Sequence, residues 1–255
     1  MKKYILLIVS ILVIGFSALV SIPGSPFLIN GMTQADISNL FPTAVTPAGI
    51  TFSIWSLIYI SWICAGLQVS GIFSGFARRY SFLQDAWDIP KKKYHQAIYL
   101  FSTAVFLTGI WLIPWGYLSI GLSLLVMILL LGTLKYVYVH TRKAPLFLRS
   151  SVELTLWWIN IATVANVTVW LISIGFTGWS IPVLYWAIGV LGFALLITLY
   201  YQLRYRAYII PLVFIWAMIG EWIAHPIFEQ RIAISIYAII SLSVIIYTFL
   251  RKQTK

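Results

Sequence analysis

Two ionisable residues near the end of one apolar run have a spacing that could support chemistry. Glu221 lies inside the run and His225 follows four residues later, so a helix would present both side chains on one face. A charge in the middle of a bilayer costs about 2.5–3.5 kcal/mol on insertion scales, and a partner reduces that cost. The spacing therefore predicts a Glu221–His225 pair, either as an interfacial ion pair or as the polar end of a ligand cavity.

A stripe of aromatic residues marks an earlier apolar run. Phe52, Trp55, Tyr59 and Trp62 follow one another at intervals of three, four and three, which places them on one face of a helix. Buried indole N–H and phenol O–H groups need hydrogen-bond partners, so this face should look into protein or a cavity rather than into lipid. Helix packing and a ligand-stacking wall both remain open as its role.

A second stripe repeats at four-residue steps in a later apolar run, at Trp158, Ala162, Asn166 and Trp170. An asparagine inside a membrane helix most often forms a hydrogen bond to a neighbouring helix. Asn166 and Trp170 are nevertheless the candidates for a wall opposite the first aromatic stripe. Structural bonding and ligand contact are both compatible with this spacing.

The sequence contains no catalytic signature such as a nucleophile elbow, an H-E-x-x-H pair or a phosphate-binding glycine loop. The chain therefore favours a non-enzymatic role. The three histidines are scattered, so no metal centre is predicted, and the single Cys64 excludes an intrachain disulfide. Asp85, Asp88 and Glu153 lie among basic residues and are expected to pair with neighbouring Lys or Arg.

The composition identifies the class of protein that must position these residues. The chain is 61% hydrophobic and 9% charged, with a mean hydropathy of +0.95, whereas soluble domains carry about 25% charged residues. We predict an all-α integral membrane protein. The net charge of +11 is spread over several loops, so it indicates membrane topology rather than a nucleic-acid partner.

We predict that residues 1–255 form a single polytopic membrane domain. Apolar runs separated by glycine and proline breakers divide it into eight predicted spans. These are residues 4–21, 46–70, 95–113, 117–138, 152–176, 181–203, 208–224 and 232–250. Pro47 is expected in the first turn of the second span, and Pro114-Trp115-Gly116 is expected to join the third and fourth. Thr33 and Asp36 predict the start of a short surface helix over residues 34–40. The first span is predicted to be a membrane helix rather than a cleaved signal peptide.

The basic residues orient these spans. With the N-terminus inside, 16 of the 17 Lys and Arg residues fall on the cytoplasmic side, as the positive-inside rule requires. The exception is Arg231. We therefore predict that both termini are cytoplasmic in the plasma membrane, so that a cytoplasm-dependent reporter fused after Lys255 is active. The inside set comprises Lys2, Lys3, Arg78, Arg79, Lys91, Lys92, Lys93, Lys135, Arg142, Lys143, Arg149, Arg204, Arg206, Arg251, Lys252 and Lys255.

Two local motifs resemble a known family. Pro47, Phe52, Trp55 and Tyr59 form P-x4-F-x2-W-x3-Y, which is similar to the first-helix signature of the tryptophan-rich sensory proteins, the translocator protein or peripheral benzodiazepine receptor family. The block WWINIATVANVTVW at Trp157–Trp170 resembles a segment of the longer members, of roughly 250 residues. The resemblance implies a five-helix core, here with extra helices added to give about eight.

The resemblance also implies a function. It points to a membrane receptor or sensor that binds a planar, amphipathic aromatic ligand, with a tetrapyrrole such as porphyrin or haem as the ligand class. No cofactor follows from the residues themselves. The predicted ligand-binding residues are Phe52, Trp55, Tyr59, Asn166, Trp170, Glu221 and His225.

Two other functions remain as alternatives. One is a transporter of small amphipathic molecules, although the chain shows no repeat and most prolines lie at the ends of spans. The other is a membrane enzyme that degrades porphyrins, as proposed for the family. The expected partners are the lipid bilayer and a small hydrophobic ligand, and a homodimer is left open.

Overall fold

The computed structural model describes residues 2–43, 45–77, 79, 87–205, 207 and 209–253. Over these residues the chain is helical and contains no strand, so the predicted all-α class is confirmed. We number the long helices α1 to α8 and refer to shorter ones by their residues. The long helices are α1 (Ile5–Ser21), α2 (Ile54–Ser70), α3 (His95–Gly116), α4 (Ile120–Thr141), α5 (Leu146–Ser173), α6 (Val183–Tyr205), α7 (Ile209–Ala224) and α8 (Phe228–Gln253).

Six helical segments are long and apolar enough to cross a membrane, judged by length and composition. They contain α2, α3, α4, α5, α6 and most of α8. The other two long helices, α1 with 17 residues and α7 with 16, are apolar but shorter than the ~20 residues that usually span a bilayer. Eight apolar helices thus coincide with the eight predicted spans, while the crossing of all eight stays a prediction.

The described chain forms two compact units. The first consists of Met1–Ile37 and Ile54–Ile159, in which α1 packs on α2 and α3, and α3 packs on α4. Close approach of α1 and α2 depends on Gly66, because a Cβ there would lie 2.8 Å from the Cα of Leu7. Small residues at such crossings let membrane helices make van der Waals contact along their backbones.

The second unit consists of Ser38–Ser53 and Asn160–Lys255. In it α6, α7 and α8 pack on one another. The Tyr237 hydroxyl of α8 donates to the Ile188 carbonyl of α6 at 3.1 Å, which adds a polar contact between these two helices. The buried core of this unit is formed by Val45, Ala187, Leu191, Leu195, Phe214, Ala217, Met218 and Ile234.

The predicted start of the second span at residue 46, with Pro47 in the first helical turn, is wrong. Pro47 precedes a 3₁₀ helix, Gly49–Ser53, and the α-helix begins at Ile54. The reason is that residues of α7 form hydrogen bonds with the backbone of this segment. The Ala48 N–H donates to the Gly220 carbonyl at 3.1 Å, and the Trp216 indole donates to the Thr51 carbonyl at 2.9 Å.

The join between α3 and α4 also differs from its prediction. Pro114, Trp115 and Gly116 belong to the last turn of α3 rather than to a loop. Proline cannot donate a backbone hydrogen bond, and the helix end is closed by later donors, since the Tyr117 N–H donates to the Ile113 carbonyl at 3.0 Å and the Ser119 N–H donates to the Pro114 carbonyl at 2.8 Å. Leu118 then reverses the chain with a φ of 58°. The Asn30 side chain supports this helix end by donating to the Gly116 carbonyl at 2.9 Å.

The predicted short helix is confirmed at Gln34–Leu40. Thr33 and Asp36 form the expected reciprocal cap, in which the Thr33 N–H donates to the Asp36 carboxylate at 2.8 Å and the Asp36 N–H donates to the Thr33 hydroxyl at 3.2 Å. Hydrogen bonds from the Thr33 backbone and then its side chain hold the pKa of the Asp36 carboxyl below its usual value.

Two later helices begin earlier than predicted. The fifth starts at Leu146 rather than at residue 152, and there the Gln68 side chain accepts the Leu148 N–H at 2.9 Å, which satisfies a free donor of the first turn. The eighth starts at Phe228 rather than at residue 232, with Glu229 in its first turn, where a negative charge is favourable. The predictions made for Arg78, Asp85, Arg206 and Lys255 lie outside the described residues.

Candidate functional site

Four aromatic rings meet in the first unit, and we call them the aromatic cluster: Trp55, Tyr59, Trp62 and Trp158. The three on α2 stand one turn apart, with ring centroids separated by 5.6 Å for Trp55 and Tyr59 and by 5.4 Å for Tyr59 and Trp62. The predicted aromatic face of this helix is therefore present. Rings at these separations gain about 0.5–1.5 kcal/mol per good pair beyond burial.

Trp62 anchors the cluster to α5. Its side chain is 0% exposed, and its indole N–H donates to the Thr155 hydroxyl at 2.8 Å. That hydroxyl in turn donates to the Ser151 carbonyl of its own helix at 2.7 Å. An indole buried in an apolar interior needs such a partner, so this bond fixes both the depth and the orientation of the Trp62 ring.

The same pair of helices is connected at two further levels. The Ser61 and Ser151 hydroxyls lie 3.1 Å apart, and Gln68 accepts the Leu148 N–H near the beginning of α5. Hydrogen bonds between membrane helices are individually worth only about 0.6 kcal/mol on average. Spread along the interface, they hold α2 and α5 in one register, which determines the residues that face Trp55.

Trp158 of α5 lies against Trp55. The two ring centroids are 6.4 Å apart and the ring planes stand at 87°, an edge-to-face contact of the favourable kind. Trp158 is buried, whereas Trp55 and Tyr59 are only half-buried. The cluster thus has a buried back, made by Trp62 and Trp158, and a partly accessible front of two aromatic rings.

The sequence placed Trp158 on the second stripe but proposed its later members, Asn166 and Trp170, as the opposing wall. These two residues lie in the part of α5 that belongs to the second unit, where Asn166 is buried and Trp170 half-buried. Phe52 belongs to the second unit too, within Gly49–Ser53. Ligand contact by these three residues stays a prediction. Thr155, which fixes Trp62, gave no signal beyond a threonine within an apolar run.

The predicted pairing of Glu221 with His225 is confirmed. The Glu221 carboxylate and the His225 Nε2 are 3.2 Å apart, and Glu221 is only 4% exposed. The contact joins positions i and i+4 of one helical turn. It lies at the end of α7, where the imidazole can offset the cost of burying a carboxylate.

Asp88 and Glu153 were expected to pair with neighbouring Lys or Arg. Among the residues that the structure describes, neither forms a close ion pair, but Arg149 interacts electrostatically with Glu153. Glu153 is buried on α5, with Arg149 one turn before it. Trp87, in the segment before α3, packs between Phe73 and Phe147, with ring centroids at 5.2 Å and 4.5 Å.

The chain matches the model of one protein family, described as TSPO-like protein, over residues 3–251. The match covers nearly the whole chain and includes α1 to α7 and most of α8. No curated protein and no solved structure matches the chain. Apolar helices throughout, an aromatic face on α2 and this family match agree with one another. The chain is an integral membrane helical protein that belongs to the TSPO-like protein family.

Proposed function

We propose that the protein is a membrane sensor-type binding protein that holds a planar, amphipathic aromatic ligand against the aromatic cluster. The observation that carries this proposal is the contrast within the cluster itself. Trp62 and Trp158 are buried, while Trp55 and Tyr59 in front of them are only partly covered. Partly covered rings with a fixed aromatic layer behind them offer a surface on which a flat ligand can stack.

The geometry of the front supports a flat ligand. Trp55 and Tyr59 are neighbours on one helical face, tilted by 32° at 5.6 Å, so together they offer a broad aromatic surface. Trp55 is also supported from the side by the edge of Trp158. A ring held in this way loses little conformational entropy when a ligand stacks on it, and such pre-organisation increases affinity.

The tetrapyrrole class comes from family membership, not from the rings. The aromatic cluster would accept many planar compounds, since stacking discriminates weakly among them. Membership of the TSPO-like family suggests a membrane sensor or binding protein, and a porphyrin or haem is the ligand that we propose. Phe52, Asn166, Trp170, Glu221 and His225 keep their predicted ligand roles as separate hypotheses, each testable by its own substitution.

A titration of the purified protein tests the proposal. Protoporphyrin and haem should each produce a saturable shift in the ligand absorbance and quench tryptophan emission. A saturated, non-planar amphiphile of similar size should do neither. Saturable binding of the non-planar compound with the same affinity would contradict a stacking site and indicate general hydrophobic uptake.

Two further measurements on the purified protein distinguish the two alternative functions. Ligand accumulation in sealed vesicles that contain the protein, beyond the amount bound, would favour a transporter. A bound tetrapyrrole whose spectrum changes irreversibly with time would favour an enzyme. Reversible binding with neither effect is the outcome that the proposed binding role predicts.

A further inference from the structure

Arg231 is the basic residue that the charge distribution left on the outer side of the predicted topology, and the structure fixes its guanidinium group firmly. Its Nε donates to the His225 carbonyl at 2.9 Å and to the Trp222 carbonyl at 3.2 Å. These carbonyls end α7, where the helix dipole favours a positive charge. The guanidinium carbon also lies 4.4 Å from the centre of the Trp222 ring, a close cation–π contact.

This anchoring uses one edge of the guanidinium and leaves the other edge available. Both hydrogen bonds come from Nε, and within the described part of the chain no hydrogen bond is made by the two terminal nitrogens. A planar guanidinium fixed on one edge presents its remaining N–H groups as a fork, and that fork matches the oxygens of a phosphate or carboxylate.

The surroundings of Arg231 are apolar and exposed. Phe228 is 73% exposed and Trp222 is 45% exposed, and Ile223, Ile227 and Ile232 are exposed as well. We call these five residues the apolar collar. In a membrane protein, side chains of this kind at the end of a helix are covered by acyl chains, while a long cationic side chain reaches the headgroup level.

The neighbouring charges leave the fork attractive to an anion. Glu221 is engaged by His225 at 3.2 Å. Glu229, two residues before Arg231, projects from another face of α8, since residues at this spacing do not face each other. The anchoring carbonyls hold Nε and leave the terminal nitrogens free to bind an oxyanion.

We propose that Arg231 binds the phosphate of a phospholipid headgroup, with the acyl chains of that lipid lying on the apolar collar. A phosphate or carboxylate free in solution would satisfy the fork but would gain nothing from the five exposed apolar side chains. The arrangement of a fixed guanidinium inside an apolar collar therefore commits the site to a lipid rather than to a soluble anion.

Native mass spectrometry of the full-length protein in detergent tests this assignment. Dioleoylphosphatidylglycerol should be retained by the wild-type protein, and Arg231→Gln should weaken its apparent affinity about tenfold, a change of ~1.4 kcal/mol. Arg231→Lys keeps the charge but loses the fork, so its loss should be intermediate. The matched control is Lys135→Gln, which removes one charge from an exposed position of α4 and should leave lipid retention unchanged.

Further measurements distinguish the contribution of the acyl chains from that of the phosphate. Phe228→Ala changes a side chain on the surface, so it should not affect folding, and it should weaken retention of the phospholipid by severalfold. Dioleoylglycerol, which lacks the phosphate, should be retained weakly and independently of Arg231. Inorganic phosphate should not displace the phospholipid when both are present at equal concentration.

Other results overturn the proposal. If a folded Arg231→Gln variant retains the phospholipid as tightly as the wild type, Arg231 only caps α7. Equal retention of dioleoylglycerol would reduce the site to an apolar surface. Displacement by inorganic phosphate, together with no effect of Phe228→Ala, would assign the fork to a soluble anion.

Discussion

The aromatic cluster on α2 and α5 and a second group of rings around the loop before α6 differ in what holds them. We call the second group the loop group. It consists of Phe176 and Trp179 in the loop and Trp186 in the first turn of α6, with centroids 5.2–6.1 Å apart, a spacing close to that of the aromatic cluster. Trp186 donates to a backbone carbonyl within the loop, that of Gly178, at 2.9 Å. Trp62 donates instead to a side-chain hydroxyl on another helix.

The two groups of rings also differ in how far they are exposed. Trp179 is 76% exposed and sits at the turn with a φ of 50°, in the left-handed region that non-glycine residues rarely adopt. Trp62 is fully buried. Tryptophan content alone therefore does not identify a binding site in this chain. A cross-helix hydrogen bond, a buried back and a partly covered front together distinguish the aromatic cluster from interfacial rings.

The largest effect that follows from this comparison is the loss of Trp62. Trp62→Ala removes a fully buried ring and its bond to Thr155, and large-to-small changes of this kind cost about 3–5 kcal/mol. Thermal unfolding in detergent, followed by circular dichroism, measures the loss. A melting temperature equal to that of the wild type would show that the cluster does not stabilise the first unit.

Gly66→Ala should be the next most destabilising change, because its Cβ would collide with the backbone of Leu7 on α1. Overpacking of this kind costs about 1–3 kcal/mol. Gly132→Ala on α4 is the matched control, since nothing lies within 4 Å of its Cβ position. If both variants unfold at the same temperature, α1 and α2 are not packed as closely as described.

Thr155→Val should produce a smaller loss, because it removes the hydroxyl that accepts the Trp62 indole while keeping the side-chain shape. We expect about 0.6–1.7 kcal/mol, the range measured for hydrogen bonds between membrane helices. Thr133→Val on α4 is the control, because its exposed hydroxyl bonds only to Leu129 of its own helix. Comparable losses in the two variants would argue against a specific Trp62–Thr155 bond.

Trp179→Ala should have the smallest effect on stability, within about 0.5 kcal/mol, as expected for an exposed position. The same unfolding measurement tests this expectation. A loss as large as that of Trp62→Ala would remove the contrast between the two groups of rings, because the loop group would then be structural as well.

The sequence predicted the helices well because length and apolar composition are local properties. It also predicted the Glu221–His225 pair and the α2 aromatic face, since both follow from helical spacing within a single run. The misplaced start of α2 has a different origin. The Trp216 and Gly220 bonds that shape residues 48–51 come from a helix more than 160 residues later, and no local pattern contains that information.

The same limit applies to the partner of Trp55. The four-residue stripe on α5 contains Trp158, Asn166 and Trp170, and spacing alone does not determine which of them faces α2. The Trp62–Thr155, Ser61–Ser151 and Gln68–Leu148 contacts fix that register. Each joins residues 80 or more positions apart, so the choice of Trp158 depends on tertiary packing.

We expect the front of the aromatic cluster to bind a planar ligand, and a protoporphyrin titration of the Trp55→Ala variant measures this binding. The folded variant should bind about 5- to 150-fold more weakly than the wild type, a loss of ~1–3 kcal/mol. Trp55→Phe should lose less, and Trp179→Ala should bind as the wild type does. Equal affinity of the wild type and a folded Trp55→Ala variant would contradict the claim and leave the aromatic cluster as helix packing.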